Sequence, residues 1–248
     1  MTKIKCISSV FGSKRIDNIA QAAKFGKSEE FVRERIGATE LRENLEHENV
    51  LTQAEKAAQS VLAKSKVGAS EISLLIFVTQ NPEFGGLPHN AACLHGTLNL
   101  KEECAAFDLG LGCSGYVYGL SVLHDFMTGR GLSNGVLITC DPYSKIIDPA
   151  DKNTVLLFGD AATATWITSN PIFRFGPFAF GSNGSGREAL VSRDGILQMN
   201  GREVFNFAVT TVPPHVEGLL KSANLDRDQV DAYLFHQGSR YILQTLTK

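Results

Sequence analysis

The sequence lacks an excess of charge of either sign, a long apolar run and any paired cysteine motif. Its 248 residues carry a formal net charge of −2, whereas a nucleic-acid-binding surface needs a clustered basic excess. No apolar run approaches the roughly 20 residues of a membrane span, and the start resembles no secretory signal, so a cytoplasmic protein is expected. The five cysteines are scattered and include no C-x-x-C pair, which argues against a disulfide framework and a zinc site.

The apolar residues alternate between short strand-like runs and longer helix-like stretches, which predicts an α/β fold. Strands are expected at residues 4–11, 72–78, 105–109, 135–140 and 161–168. Helices are expected at residues 17–25, 28–36, 52–66, 88–98 and 114–128. The run 72–78 is apolar at almost every position, as in a strand covered on both faces. Thr52 and Glu55 have the spacing of a capping box, so the third helix is expected to begin at Thr52.

Two parts of the chain share one order of features. Residues 64–79 and 221–237 each follow a predicted helix and run from a polar turn through an acidic patch into an apolar strand. Such an echo indicates a duplicated unit, with an N-terminal half at residues 1–168 and a C-terminal half at residues 169–248. The second half lacks counterparts of residues 88–98, 105–128 and 135–168. It is therefore expected to be incomplete, by roughly 70 to 90 residues.

Cys113 lies where a predicted strand turns into a predicted helix. Gly112 and Gly115 flank it and allow other backbone or a substrate to approach closely. Unpaired N–H groups and the helix dipole stabilise a thiolate at a helix N-terminus, so we expect a lowered pKa for this thiol. The Cys113 N–H is also able to donate to the oxyanion of an acyl intermediate. The pattern resembles a nucleophile elbow and favours an acyl-carrying nucleophile over a small buried side chain.

His236 has the most informative position of the six histidines. It follows the apolar run 232–235, which is expected to form a strand, and ligands of open α/β sheets gather at the carboxyl ends of strands. The alternative, a strand-end histidine hydrogen-bonded to a neighbouring loop, stays open from the pattern alone. The other four cysteines lie in strand or helix patterns and are expected to pack in the interior: Cys6, Cys93, Cys104 and Cys140.

Four short motifs occur in an order and spacing typical of one family. They are Gly112-Cys113-Ser114-Gly115-Tyr116, Phe158-Gly159-Asp160-Ala161, Met199-Asn200-Gly201-Arg202-Glu203-Val204-Phe205 and His236-Gln237. In these motifs the chain resembles β-ketoacyl-acyl-carrier-protein synthase III, a condensing enzyme of the thiolase superfamily. The resemblance implies a five-layered α-β-α-β-α fold from two similar halves, the second incomplete here. It also implies a homodimer.

The resemblance further implies a ping-pong reaction. Cys113 would take an acyl group from acyl-CoA, and the carbanion formed by decarboxylation of malonyl-acyl carrier protein would attack the acyl-cysteine. His236 would stabilise the enolate by hydrogen bonding to the thioester carbonyl. No metal or redox cofactor is implied, and the CoA thioester is a substrate.

Five further residues are expected to bind substrate on the same ground. Phe31 and Arg35 match positions on the CoA side, and Phe205 closes the third motif. Lys152 stands where the family has an arginine, and lysine keeps the charge without the planar stacking surface. Leu87 falls where a phenylalanine of the partner subunit closes the acyl pocket, so a bulkier acyl group is expected to fit. The alternative interpretations are helix core for Phe31 and solvated surface charges for Arg35 and Lys152.

The chain departs from the family pattern after His236. Gln237-Gly238-Ser239 replaces the usual continuation, and the twelve residues that follow His236 contain neither the family's Gly-Asn motif nor its second oxyanion glycine. Loss of part of a catalytic unit commonly lowers the rate by orders of magnitude, so condensation is expected to be impaired. Two other interpretations stay open: an acyltransferase that uses the acyl-cysteine without decarboxylation, and a non-catalytic subunit that pairs with an active partner.

Overall fold

The computed structural model describes residues 2–169 and 175–247. The strands are β1 (Thr2–Phe11), β2 (Lys14–Asp17), β3 (Glu40–Glu43), β4 (Leu74–Val78), β5 (Ala105–Leu109), β6 (Asn134–Cys140), β7 (Ala161–Ser169), β8 (Leu190–Arg193) and β9 (Ile196–Met199). The α-helices are α1 (Asn18–Ala23), α2 (Glu29–Phe31), α3 (Val50–Ser65), α4 (Asn90–Thr97), α5 (Gly115–Arg130), α6 (Lys152–Val155), α7 (Gly201–Ala223) and α8 (Arg240–Leu246). A π-helical turn at Val32–Ile36 follows α2.

The chain forms two compact units, each assembled from three segments. The first, which we call the sheet unit, comprises Met1–Lys14, Arg42–Pro142 and Gly159–Phe175. The second, the helix unit, comprises Arg15–Leu41, Tyr143–Phe158 and Gly176–Lys248. These units group residues by spatial contact, so the expected division into halves at residues 168 and 169 stays a prediction.

The sheet unit is built on a five-stranded mixed sheet in the order β1-β7-β6-β4-β5. β4 runs parallel to β5 and β6, whereas β7 runs antiparallel to β6 and β1. Leu75 and Phe77 of β4 share one buried cluster with residues of α3 and α4. On the opposite face, Val78 and Leu137 lie directly beneath α5. Helices thus cover both faces of β4, which is why the run 72–78 is apolar at nearly every position and why the predicted α/β class is confirmed.

The helix α3 begins earlier than its sequence suggests. Asn49 is the N-cap: its side chain accepts from the Thr52 N–H at 2.9 Å, and the Thr52 hydroxyl accepts from the Asn49 N–H at 2.9 Å. The expected start at Thr52 was therefore wrong. Thr52 takes the reciprocal N3 position of the capping box, and Glu55 has no part in the cap.

The helix unit has a smaller buried centre. Ala22, Val32 and Leu156 form its buried cluster, and the long helix α7 begins at the N-cap Asn200, whose side chain accepts from the Glu203 N–H at 3.3 Å. β8 and β9 form a two-stranded antiparallel ribbon. None of the helices within residues 2–169 and 175–247 has both the length and the apolar character to cross a membrane.

The expected strand at residues 232–235 is absent from the described chain. Leu234 is 95% exposed, and Tyr233 is 41% exposed. A strand exists only where a neighbour completes its hydrogen-bonded ladder, and no strand in residues 2–169 and 175–247 pairs with this run. The prediction of a strand was therefore wrong. An apolar run indicates residues suited to burial, but it does not show that a neighbouring strand is present to pair with.

Candidate active site

Cys113 lies in the tight turn between β5 and α5. The Gly115 N–H donates to the Gly112 carbonyl at 2.7 Å, which closes the turn around the cysteine. A Cβ on Gly115 would lie only 2.4 Å from Cγ1 of Val78, so the lack of a side chain there lets α5 start directly on the sheet. The Cys113 side chain is exposed. The expected strand–turn–helix setting is confirmed, and the thiol is accessible to a ligand.

The electrostatic setting of Cys113 differs from the expectation. Although solvent reaches the side chain, burial of part of its surroundings raises the pKa of the Cys113 thiol. The residue's own backbone N–H acts in the opposite direction, and the negative charge of Asp141 adds to the increase in pKa. The expected lowering was wrong because desolvation, the largest contribution, and the nearby Asp141 carboxylate outweigh the backbone hydrogen bond that stabilises the thiolate.

Asp141 is a residue of this site that the sequence interpretation missed. Its Oδ1 atom accepts from the Thr79 hydroxyl at 2.9 Å, from the Gln80 N–H at 2.7 Å, and from the N–H and the side-chain amide of Asn81, both at 3.2 Å. Asp141 follows β6, and Thr79 to Asn81 follow β4. The position of Asp141 directly after a predicted strand could have revealed it, because the carboxyl ends of parallel strands meet at one edge of a sheet.

The other cysteines differ from Cys113 in exposure. Cys104 and Cys140 are buried, and Cys6 and Cys93 are intermediate. Burial raises the pKa of Cys104 to about 11, so this thiol stays protonated near neutral pH. Among the five, Cys113 alone has an exposed side chain.

In the helix unit, Arg35 and Phe205 both contact a residue that the sequence interpretation did not select. The Arg35 guanidinium carbon lies 4.1 Å from the ring centroid of Tyr241. The rings of Phe205 and Tyr241 are 5.1 Å apart and inclined by 15°. We call Phe205, Tyr241 and Arg35 the stacked triad. Its three members are far apart in the sequence, so no local sequence pattern predicts that they meet.

Phe31 and Lys152 have separate surroundings in the same unit. Phe31 is half-buried, and the ammonium of Lys27 lies 5.3 Å from its ring centroid. Lys152 is the exposed first residue of α6. The next residue, Asn153, lines a cavity of about 690 Å³ together with Met199, Asn200 and Arg202 of the third motif.

His236 and Leu87 lie in different units. His236 is exposed, and partial desolvation lowers the pKa of His236, which favours the neutral imidazole, the form that both donates and accepts a hydrogen bond. Leu87, in the sheet unit, follows the 3-10 turn Glu83–Gly86 and is 87% exposed. Such exposure leaves the leucine free to contact another molecule.

The chain matches the sequence profile described as 3-Oxoacyl-[acyl-carrier-protein (ACP)] synthase III over residues 107–184. It is 30% identical to Beta-ketoacyl-[acyl-carrier-protein] synthase III 1 of Halalkalibacterium halodurans over 240 residues, which are 96% of this chain and 76% of the relative. Beta-ketoacyl-[acyl-carrier-protein] synthase III of Trichormus variabilis is 32% identical over 241 residues, covering 89% of this chain and 72% of the relative.

Solved structures agree with the sequence relatives. A crystal structure of 3-oxoacyl-(acyl-carrier-protein) synthase III matches with a TM-score of 0.94 and 30% identity, over 99% of this chain and 81% of that one. The 3-oxoacyl-(acyl-carrier protein) synthase from Burkholderia xenovorans matches with a TM-score of 0.89 and 32% identity, over 99% and 76%. The fold is thiolase-like, as expected, and the chain belongs to the 3-oxoacyl-[acyl-carrier-protein] synthase III family.

Proposed function

We propose that this protein condenses an acyl-CoA starter with malonyl-acyl carrier protein through an acyl-cysteine intermediate and releases a β-ketoacyl product. The observation that carries the proposal is the exposed Cys113 at the start of α5, in a chain of this family. A thiol in a strand–turn–helix setting is suited to nucleophilic acyl transfer.

The first half-reaction transfers the acyl group to Cys113. The sulfur attacks the thioester carbonyl, the bond from the carbonyl carbon to the CoA sulfur breaks, and the thiol proton passes to the departing CoA thiolate. Because burial and Asp141 raise the pKa of Cys113, the resting thiol is protonated and must lose its proton as the attack occurs.

The second half-reaction forms the carbon–carbon bond. The malonyl group on the carrier protein loses CO₂, and the carbanion attacks the carbonyl of the acyl-cysteine. The Cys113 thiolate then leaves and takes up a proton. We assign to His236 a hydrogen bond to the malonyl thioester oxygen, which gains negative charge as CO₂ departs. These steps use side chains and substrates alone, so the proposal includes no metal and no redox cofactor.

The substrate-binding residues and partners follow the same interpretation. Arg35, Phe31, Phe205 and Lys152 bind the CoA part of the donor, and Leu87 borders the acyl pocket of a partner subunit in a homodimer. The position of β5 at the edge of the five-stranded sheet supports the homodimer, because an edge strand offers unpaired backbone groups to a second copy. A reactive free thiol suits a reducing compartment, and we propose the cytoplasm.

Acylation of Cys113 tests the proposal. The folded protein is incubated separately with acetyl-CoA, isobutyryl-CoA and 3-hydroxybutyryl-CoA, and intact-protein mass spectrometry detects the adduct. We expect one acyl group per chain, absent from Cys113→Ser and retained by the control Cys93→Ser. Addition of malonyl-acyl carrier protein should then remove the acyl group and give a β-ketoacyl-carrier protein.

Each outcome bears on a different part of the proposal. A folded sample that forms no adduct with any donor would exclude acyl transfer through Cys113. An adduct that malonyl-acyl carrier protein does not discharge would exclude condensation and favour simple acyl transfer. Reaction with acetyl-CoA alone would contradict the expectation that Leu87 admits a bulkier group.

A further inference from the structure

The stacked triad places a planar cation on an aromatic support. Arg35 is exposed, and its guanidinium carbon lies 4.1 Å from the Tyr241 ring centroid. Phe205 covers Tyr241 at 5.1 Å with an inclination of 15°. Tyr241 therefore contacts both an aromatic ring and a guanidinium. Arg35 is exposed, so its guanidinium is open to a ligand in solution.

Several contacts hold α8, and therefore Tyr241, against the turn that carries Arg35. Ser239 caps α8 by accepting from the Ile242 N–H at 3.3 Å. Arg240 and Glu34 form an ion pair at 3.8 Å. A Cβ on Gly37, whose φ is +96°, would lie 2.8 Å from Cβ of Arg240, so only glycine permits this close approach. These contacts place the ring of Tyr241 beside Arg35.

The support acts through the ring of Tyr241 and not through its hydroxyl. Among residues 2–169 and 175–247, no hydrogen bond involves the Tyr241 hydroxyl, whereas its backbone carbonyl accepts from the Thr245 hydroxyl at 2.8 Å. A guanidinium held against a ring loses less conformational freedom when it binds a phosphate or a planar base. An unsupported arginine on this exposed surface would lose that freedom at the moment of binding.

We propose that Tyr241 is a positioning residue that holds Arg35 ready for the nucleotide end of CoA, so that the stacked triad makes the protein select donors that carry the nucleotide. This inference rests on the proposed function, because that function supplies CoA as the donor. It adds Tyr241 as a residue that determines donor specificity. Tyr241 recognises no acyl group and affects binding of the thioester only through Arg35.

The test compares CoA with pantetheine, which has the same thiol arm and no nucleotide. Dissociation constants for both are measured by isothermal titration calorimetry for the wild type, Tyr241→Leu and Tyr241→Phe. Loss of a cation–π support at an exposed site corresponds to about a 2- to 5-fold weakening. We expect Tyr241→Leu to weaken CoA binding by that factor and to leave pantetheine binding unchanged. Tyr241→Phe, which keeps the ring, should bind both ligands as the wild type does.

Three results would overturn the inference: equal weakening of both ligands in Tyr241→Leu, no weakening of CoA, or a Tyr241→Phe variant as weak as Tyr241→Leu. Thermal unfolding of each variant shows whether the fold is kept, and Arg35→Leu combined with Tyr241→Leu should weaken CoA no more than Arg35→Leu alone. Acylation of Cys113 by acetyl-pantetheine tests the proposed function without the nucleotide. A protein that reacts with acetyl-pantetheine but fails the CoA comparison keeps its function and loses this inference.

Discussion

The two units of the protein organise their functional residues in different ways. In the sheet unit, Cys113 follows β5 and Asp141 follows β6. Both strands pair with β4, whose residues are all buried. In the helix unit, the stacked triad is held by side-chain stacking on an exposed surface, and Leu234 beside His236 is 95% exposed. The nucleophile is thus positioned by the packing of strands, whereas the proposed donor-binding residues are positioned by side-chain contacts.

The largest difference is expected for the same substitution in the two units. Leu137 is fully buried beneath α5, so Leu137→Ala should lower the free energy of unfolding by about 3 kcal/mol. Leu234→Ala removes an exposed side chain and should change it by less than about 0.5 kcal/mol. Urea titration followed by circular dichroism measures both. Similar losses in the two variants would show that residues 232–235 are packed in solution, and the comparison would fail.

A buried carboxylate of the sheet unit and an exposed carboxylate of the helix unit provide a second comparison. Glu48 accepts from the Ser13 hydroxyl at 2.6 Å and from the Ser13 N–H at 3.0 Å. The hydrogen bonds from Ser13, with those from Leu45 and Lys56, lower the pKa of Glu48 from 4.5 to about 2 against the opposing effect of burial. Glu48→Gln should therefore lower the free energy of unfolding at pH 7 by about 2 kcal/mol. Glu217, paired with Arg227 at an exposed position of the helix unit, serves as the control, and Glu217→Gln should change it by less than about 0.5 kcal/mol.

The pH dependence of this effect has a definite sign. A carboxyl whose pKa is lower in the folded state stabilises the protein above its ordinary pKa and loses this contribution as the pH falls through its folded pKa. For Glu48 that interval runs from about pH 5 to about pH 2. Thermal unfolding at pH 7 and pH 3 should show the difference between wild type and Glu48→Gln shrinking at pH 3. A difference that is constant over this range would mean that the Glu48 charge does not stabilise the fold.

The smallest expected effect concerns the thiol itself. Asp141 raises the pKa of Cys113, so Asp141→Asn should shift the pH profile of Cys113 alkylation by iodoacetamide to lower pH. Asp125→Asn, near the far end of α5 at an exposed position, should leave the profile in place, since charges that far apart in solvent are largely screened. A profile that Asp141→Asn does not move would remove Asp141 from the electrostatics of the site.

The sequence predicted those parts of the fold whose pattern is set by local burial. β4 lies within the expected run 72–78 and is buried at every position, because continuous apolar runs in an α/β protein are typical of strands covered on both faces. β5 occupies the expected residues 105–109, and β6 begins one residue before the expected 135. The run 232–235 has a similar pattern but forms no strand. The ladder depends on a neighbouring strand, which a local pattern does not specify.

The candidate site was predictable to the same extent. The turn at Cys113 follows from glycines and apolar runs beside it in the sequence. The direction of its pKa change depends on Asp141, which approaches through the parallel pairing of β4 and β6. The stacked triad depends on three separate segments meeting in space, so Tyr241 carried no signal in the sequence. The sequence thus predicted the chemistry of a single residue and its adjacent turn. It did not predict the residues that approach it in space and modify that chemistry.

The difference in exposure among the five thiols should allow Cys113 to be labelled selectively. A maleimide dye or a chloroacetamide inhibitor should react first at Cys113, because Cys104 and Cys140 are buried and Cys6 and Cys93 are partly covered. The raised pKa of Cys113 sets the condition, since mildly alkaline buffer supplies the thiolate that these reagents require. A single fluorophore installed there would mark the candidate active site without engineered mutations, and the same selectivity would guide covalent fragment screening.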